Sequence, residues 1–189
     1  MKYLGCVIPR SASPVWLVRT RWTLKNAVSL EEIAKSTVAL YAAGGADVSL
    51  RTSPCPPLRG DQDQLVQVLT NLIQNGLDAA GGGNLAKVAV QVEPQDPEHL
   101  AIIVSDNGPG VSEEMLPKLF EPYATTKPDG TGLGLAIVQR IAHEHGGAIT
   151  YEKGAAGGAV FRAVLPVAGP TSLPEPAEDL VDSHAQPRG

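Results

Sequence analysis

Two glycine-containing stretches constrain this chain most, because each stands where one predicted element gives way to the next. Residues 106–110, Asp-Asn-Gly-Pro-Gly, directly follow an apolar segment over 100–105. Residues 130–135, Gly-Thr-Gly-Leu-Gly-Leu, lead into an amphipathic segment over 133–145. A turn after a buried strand and a glycine loop before a helix are typical of an α/β protein whose loops surround a ligand.

Periodicity along the chain predicts a two-layer α/β sandwich, in which helices pack on one face of a mixed sheet. Helices with an apolar face are predicted over 30–43, 61–80 and 133–145. Alternating or continuous apolar residues predict strands over 47–52, 88–92, 100–105, 149–153 and 159–167, of which the last two form a hairpin. Ser112 is expected to cap a short helix that ends near Leu119, and residues 121–131 are predicted to form a loop.

Composition sets the domain organisation and excludes several classes of function. With 189 residues, of which 43% are hydrophobic, the chain can form one folded core, expected over 29–167. We expect a basic, loosely ordered arm over 1–28 and a disordered tail rich in proline and acidic residues over 168–189. The net charge of −5 argues against a nucleic-acid binder that relies on a broad basic face.

Cysteine usage and hydropathy point to a reduced compartment. Cys6 and Cys55 lie far apart and outside any Cys-x-x-Cys pattern, so neither a disulfide framework nor a zinc site is expected. No apolar run approaches the ~18 residues of a membrane helix. We therefore expect a cytoplasmic protein with no membrane segment in this chain.

Asp106 is the candidate reader of a nucleobase. Its carboxylate stands at the end of a predicted strand and can accept a hydrogen bond from an exocyclic amine such as that of adenine. Gly108 and Gly110 let a ligand approach the backbone closely. The ordinary alternative is a surface Asp-x-Gly turn, which is common after strands.

Asn71 and Asn75 are the candidate metal-binding pair. At positions i and i+4 they share one side of the predicted helix, and Asp78 clusters with them beside the apolar face. An amide oxygen is a hard ligand that suits Mg²⁺, which keeps waters and phosphate oxygens as its other ligands. The alternative is a pair of solvated asparagines.

The segment from Lys127 to Leu135 is the candidate phosphate site. Exposed N–H groups where the helix begins can bind phosphate with help from the helix dipole. Lys127 can add a point charge at a terminal phosphate. A mobile glycine loop is the alternative, but with Asp106 upstream the segment predicts an ATP pocket.

These motifs, in this order, closely resemble the N, G1, F and G2 boxes of sensor histidine kinases, which belong to the GHKL ATPase superfamily. The boxes are Asn71-x-x-x-Asn75, Asp106-x-Gly108-x-Gly110, Phe120-Glu121-Pro122-Tyr123 and Gly130-Thr131-Gly132-Leu133-Gly134-Leu135. Residues 67–75 resemble the nitrogen-regulation type in particular. The resemblance covers about residues 29–167 and implies a Bergerat-type fold that holds Mg-ATP.

The resemblance also implies roles for individual residues. The catalytic residues would be Asn71, Asn75 and Lys127, with Asn75 carrying the metal, and residues 120–131 would form a lid. The nucleotide-binding residues would be Asn71, Asn75, Asp78, Asp106, Gly108, Gly110, Thr126, Lys127, Gly130, Thr131, Gly132, Leu133, Gly134 and Leu135. Residues 158–161 would form the final glycine box before the last strand.

Three departures from the family pattern bear on function. Gly76 stands where the family usually has alanine, and Ala159 stands where many members have threonine. A histidine kinase also needs a phospho-acceptor histidine on a helical hairpin that precedes the ATP domain. All four histidines follow the first predicted helix; they are His99, His143, His145 and His184. The resemblance therefore implies transfer of the γ-phosphoryl group to a histidine of another chain, with a response regulator as the further partner.

Two other functions stay open on the sequence. A stand-alone protein serine kinase of the anti-sigma-factor type would need no acceptor hairpin, and a non-catalytic ATP-binding module would need no acceptor at all. A hydrolytic ATPase of the topoisomerase or mismatch-repair branch is disfavoured. That branch has a glutamate base at the position of Asn71, and an amide cannot take a proton from water.

Overall fold

The computed structural model describes residues 26–81, 85–127, 130–155 and 157–170. Of the arm expected over 1–28 and the tail expected over 168–189, residues 1–25 and 171–189 lie outside the described residues. Where the described chain begins, Ala27–Val28 forms a two-residue strand, β1, which pairs antiparallel with β3, Leu58–Arg59. The sequence pattern did not predict this small sheet, because two residues are too few to show a period.

The first two helices begin where the sequence predicts. Helix α1, Leu30–Ala43, has Ser29 as its N-cap, and the Ser29 side chain accepts the N–H three residues later. Strand β2, Asp47–Thr52, follows it. Helix α2, Gln62–Ala79, has Asp61 as its N-cap with the same hydrogen bond. Both caps satisfy N–H groups that the first turn of a helix leaves unpaired.

The remaining strands and the third helix also match the prediction within a few residues. They are β4 Lys87–Asp96, β5 His99–Asp106, α3 Gly134–Glu144, β6 Ala148–Lys153 and β7 Ala159–Pro166. Strands β6 and β7 form the expected antiparallel hairpin. None of the helices in the described ranges is both long and apolar enough to cross a membrane.

The five longer strands form one mixed sheet in the order β2-β4-β5-β7-β6. Only β2 and β4 pair in parallel, and the other neighbours are antiparallel. Side chains of β5 such as Leu100 and Ile102 join Leu69 and Leu72 of α2 in one buried cluster. The α/β sandwich with a mixed sheet is thus confirmed. It brings Asp106, at the carboxyl end of β5, close to α2.

A buried histidine ties two helices together. The side chain of His145 is only 1% exposed. Its Nε2 accepts the backbone N–H of Asp61, and its Nδ1 donates to the carbonyl of Ile141. His145 thus joins the end of α3 to the N-cap of α2, and its role in the fold is structural.

The helix predicted from Ser112 to Leu119 is wrong. The segment forms turns and a single 3₁₀ turn over Leu116–Lys118, and no side chain caps it. The carbonyl of Ser112, rather than its hydroxyl, accepts the N–H groups of Met115 and Leu116. Pro117 explains the difference, because it has no N–H to continue an α-helical ladder.

Candidate functional site

A cavity of about 550 Å³ lies between α2, the loop after β5, the loop over 121–133 and the start of α3. Every residue that the sequence analysis assigned to binding lines it except Gly108. Gly108 lies just behind the wall, where a Cβ would meet the carbonyl of Ala79 at 3.0 Å. Residues far apart in sequence therefore surround a single cavity of the size that small-molecule sites have.

Asp106 is held by backbone hydrogen bonds to one of its two oxygens. Its Oδ1 accepts the N–H of Gly108 at 2.8 Å and the N–H of Ala159 at 3.2 Å. Among the described residues, Oδ2 has no hydrogen-bond donor in the protein. A carboxylate can only accept, so Asp106 presents a fixed acceptor that suits an amino group of a ligand.

The loop after Asp106 is fastened to its neighbours. Asn107 accepts the N–H of Lys87 and donates to the carbonyl of Leu85, both at 2.8 Å. Gly158 has φ +79°, and a Cβ there would collide with the carbonyl oxygen of Asp106. The side chain of Asn107 therefore secures the loop to the start of β4, while Gly158 lets β7 lie directly against the Asp106 backbone.

Asn71 and Asn75 meet at the first turn of α3. A Cβ built on Gly134 would lie 3.5 Å from Nδ2 of Asn75 and 3.7 Å from the Oδ1 atoms of both asparagines, so both amides lie within contact distance of a side chain at the start of the helix. The Nδ2 of Asn71 is buried and has no hydrogen-bond partner among the described residues. The two amide oxygens and the unpaired amide N–H fit a small hard cation bound together with phosphate.

The first turn of α3 is suited to bind an anion. Its N-cap residue, Leu133, makes no side-chain cap hydrogen bond, so no side chain competes for the N–H groups of the first turn. These groups and the positive end of the helix dipole lie at the cavity wall. Thr131 accepts the N–H of Leu133 at 3.4 Å, just before the helix begins.

Lys127 forms an ion pair that links the 121–133 loop to α2. Its Nζ lies 2.8 Å from Oδ2 of Asp78, and Gln74 donates to Oδ1 of Asp78 at 2.7 Å. Partial burial works against ionisation of Asp78, but the hydrogen bonds from Lys127 and Gln74 outweigh it and hold the pKa of that carboxyl below its ordinary value. The two side chains are 40% and 39% exposed, so the pair contributes at most about 1 kcal/mol.

The same loop is closed at its base by one backbone hydrogen bond. Tyr123 donates its N–H to the carbonyl of Gly132 at 2.9 Å. Tyr123 has φ +67° and a side chain that is largely exposed, a strained backbone for a residue with a bulky side chain. In the described part of the loop, Tyr123 is thus held to Gly132, and Lys127 is held to α2.

The sequence analysis missed much of the cavity wall. The lining residues that it did not assign to the site include Gln74, Val111, Met115, Leu119 and Ile137. Most of them are apolar, and periodicity alone does not distinguish a residue that lines a cavity from one that fills the core. It also missed Tyr151, whose hydroxyl accepts the N–H of Val111, because no sequence signal connects positions 40 residues apart.

Comparison with known proteins gives a consistent result. Residues 60–169 match the family model described as histidine kinase-, DNA gyrase B-, and HSP90-like ATPase. The chain is 37% identical over 156 residues to the sensor histidine kinase ZraS of Salmonella typhi, a match covering 80% of this chain and 33% of ZraS. It is 37% identical over 159 residues to the nitrogen regulation protein NtrY of Azorhizobium caulinodans, a match covering 78% of this chain and 20% of NtrY.

Among solved structures, the catalytic domain of histidine kinase ThkA superposes with a TM-score of 0.66 at 31% identity, covering 75% of this chain and 96% of that domain. ThkA has also been solved in complex with the response regulator protein TrrA. The histidine kinase of that complex matches with a TM-score of 0.62 at 28% identity, covering 74% of this chain and 41% of the ThkA chain. The chain therefore spans about a third or less of the curated relatives and nearly all of a solved catalytic domain.

Proposed function

The chain belongs to the histidine kinase-, DNA gyrase B-, and HSP90-like ATPase family, and from that membership we propose that it transfers the γ-phosphoryl group of Mg-ATP to a histidine of another chain. The observation that carries the proposal is the meeting of Asp106, the asparagine pair and the start of α3 around one cavity. We propose residues 29–167 as the catalytic unit.

At one end of the cavity, Asp106 is proposed to accept a hydrogen bond from the adenine amine. Two backbone N–H groups fix one of its oxygens, which leaves the other for the base. Phe161 and Met115, which also line the cavity, offer apolar surface to the ring faces. Guanine carries a carbonyl in place of that amine, so two acceptors would face each other and adenine should be preferred.

At the other end, Asn75 is proposed to hold Mg²⁺, with Asn71 beside it. When bound, the cation would neutralise charge on the phosphates. The N–H groups at the start of α3 and the ammonium of Lys127 are proposed to bind phosphate oxygens directly. These groups would orient the terminal phosphate and stabilise charge that develops during transfer.

The transfer itself exchanges one bond to phosphorus for another. A ring nitrogen of the acceptor histidine attacks the γ-phosphorus, the bond to the bridging oxygen breaks, and ADP leaves with that electron pair. The proton of the attacking imidazole passes to a base on the acceptor chain. This domain contributes positioning and charge neutralisation, the main components of phosphoryl transfer.

Two partners follow from this function. One is a dimerisation domain that carries the acceptor histidine, and the other is a response regulator that takes the phosphoryl group from it. The likeness to ThkA, which was solved with a response regulator, supports the second partner. We place the reaction in the cytoplasm, where ATP is available.

The test is a phosphotransfer assay. The chain is mixed with γ-labelled Mg-ATP and a separately purified acceptor hairpin of a ZraS-type kinase, with Asn75→Ala as the control. We expect acid-labile label on the hairpin that is lost in the control. Acid-stable label on a serine would favour the serine kinase. ATP binding without any label, under conditions where a complete ZraS-type kinase labels its own hairpin, would favour a non-catalytic module.

A further inference from the structure

We infer that Tyr151 is a positioning residue for the adenine end of the cavity, an inference that rests on the proposed function. Tyr151 lies on β6, an edge strand of the sheet, and is half-buried. Its hydroxyl accepts the backbone N–H of Val111 at 3.1 Å. Tyr151 itself is not part of the cavity wall, whereas Val111 is.

Packing against β7 holds the Tyr151 ring in place. Tyr151 pairs directly with Phe161 across the strands, and the two ring centroids are 5.6 Å apart with the planes tilted by 53°. A tilted arrangement at this distance is favourable for aromatic rings. Because Phe161 lines the cavity, the ring contact supports this part of the cavity wall, while the hydroxyl extends to the loop after Asp106.

The hydroxyl reaches the loop at the point where it leaves Asp106 and passes around the cavity. A Cβ on Gly110 would lie 3.0 Å from the carbonyl of Gly158 and 3.5 Å from the Tyr151 hydroxyl, so Gly110 lies between Gly158 and this side chain. Asp106 and Asn107 fasten the beginning of the loop. Tyr151 fastens the loop at Val111, and together these contacts set the shape of the site for the base.

The physical consequence is specific to one hydrogen bond. Removing the hydroxyl leaves the partly buried N–H of Val111 without its partner, so the loop is no longer held in place before the base binds and has to be ordered on binding. The ring contact with Phe161 survives in Tyr151→Phe. We therefore expect the variant to fold and to lose affinity for the base, by about fivefold for a loss of ~1 kcal/mol.

The test combines calorimetric titration with amide exchange. Tyr151→Phe should bind Mg-ATP and Mg-ADP more weakly by the same factor, since both nucleotides share the base. Thr150→Val is the control, because it removes a hydroxyl on the same strand that donates to the carbonyl of Arg162 on β7, and neither residue lines the cavity. It should leave both affinities unchanged.

Amide exchange of the protein alone provides a readout that does not depend on nucleotide. The Val111 amide should exchange faster in Tyr151→Phe, while the buried β5 amides of Ile102 and Val104 stay protected. Unchanged affinities in Tyr151→Phe, or a loss matched by faster exchange throughout β5, would overturn the inference. A wild-type chain that binds neither nucleotide would instead overturn the proposed function, and the Val111 amide would still show whether the hydroxyl fixes this segment.

Discussion

The two ends of the cavity are built in different ways. The base end consists of Asp106 and the loop behind it, which are held by hydrogen bonds to backbone N–H groups of β4, of β7 and of the loop itself. The phosphate end includes the 121–133 loop, which an exposed ion pair between Lys127 and Asp78 links to α2. The phosphate end also includes the start of α3 and the asparagine pair on α2, which belong to regular helices.

The difference matches what each end has to recognise. A base is planar and is read by the direction of its hydrogen bonds, so the group that reads it must be fixed in advance. A phosphate chain is highly charged and is attracted by N–H groups and a lysine from several directions, so a loop held by charge is sufficient. Changes to the contacts that hold the base end should therefore affect folding and binding together, whereas changes at the phosphate end should affect binding without a loss of stability.

The largest effect is expected for Gly158→Ala, at the base end. The new Cβ would collide with the carbonyl oxygen of Asp106, and the left-handed backbone disfavours alanine as well. We expect a loss of more than about 2 kcal/mol in unfolding free energy, measured by urea denaturation. Gly157→Ala is the control, because the Gly157 backbone is also left-handed but a Cβ there would have its nearest neighbour at 3.9 Å. Equal losses of unfolding free energy in the two variants would mean that the contact with Asp106 is unimportant.

Gly134→Ala should separate binding from stability at the phosphate end. The Cβ would occupy the space beside the amides of Asn71 and Asn75, where phosphate and cation are proposed to bind. Alanine is also the better helix former, by up to about 1 kcal/mol. We expect thermal stability to be kept or raised while Mg-ATP affinity falls at least tenfold, about 1.4 kcal/mol. Unchanged affinity would place the phosphates elsewhere.

Lys127→Met should distinguish between nucleotides. If Lys127 binds the terminal phosphate, the variant should lose about five- to tenfold in Mg-ATP affinity and less in Mg-ADP affinity. Lys153→Met removes an exposed lysine on β6 and should change neither titration. Equal losses for ATP and ADP would show that Lys127 acts on the whole phosphate chain rather than on its end.

Asp78→Asn should have the smallest effect. It removes a negative charge near the phosphates and frees Lys127, so Mg-ATP binding should tighten by up to about fivefold, the limit for an exposed pair. Asp63→Asn, on the exposed first turn of α2, is the control. Weaker binding in Asp78→Asn would mean that Asp78 holds Lys127 in the position that phosphate requires.

The pH dependence of this pair follows from the lowered pKa of Asp78. A depressed pKa means that the ion pair is present above the ordinary value of 3.8 and is lost only as the pH falls through the lower value in the folded protein. Titration of Asp78 should therefore not change nucleotide affinity across the neutral range. A fall in affinity there that disappears in Asp78→Asn would contradict this assignment.

Much of the fold could be predicted because its signals are local. Ser29 and Asp61 cap helices within three residues of themselves, and the alternation in β4 and β7 is visible over a few positions. The helix predicted after Ser112 was wrong for a local reason too, because Pro117 prevents the α-helix that the Ser112 cap signal predicts. The Tyr151 bond to Val111 has no such signal, because it depends on how two distant segments pack.

Some residues of the candidate site could also be predicted from local sequence, and others could not. That its motif residues line one cavity could be predicted, because the glycine motifs directly follow β5 and directly precede α3. The pairing of Lys127 with Asp78 could not be predicted, since it joins a loop to a helix residue 49 positions away. The apolar wall could not either, because residues such as Ile137 follow the same period as the core.

The most direct test of the account is a calorimetric titration of Mg-ATP and Mg-GTP into the wild-type chain, Asp106→Asn and Asp96→Asn. Asp96 is an exposed carboxylate on the β4–β5 hairpin, so its variant makes the same charge change away from the cavity. We predict that the wild type and Asp96→Asn bind Mg-ATP alike and prefer it to Mg-GTP, and that Asp106→Asn binds at least about tenfold more weakly. Equal binding by Asp106→Asn, or no nucleotide binding by the wild type, would contradict the assignment of this cavity to ATP.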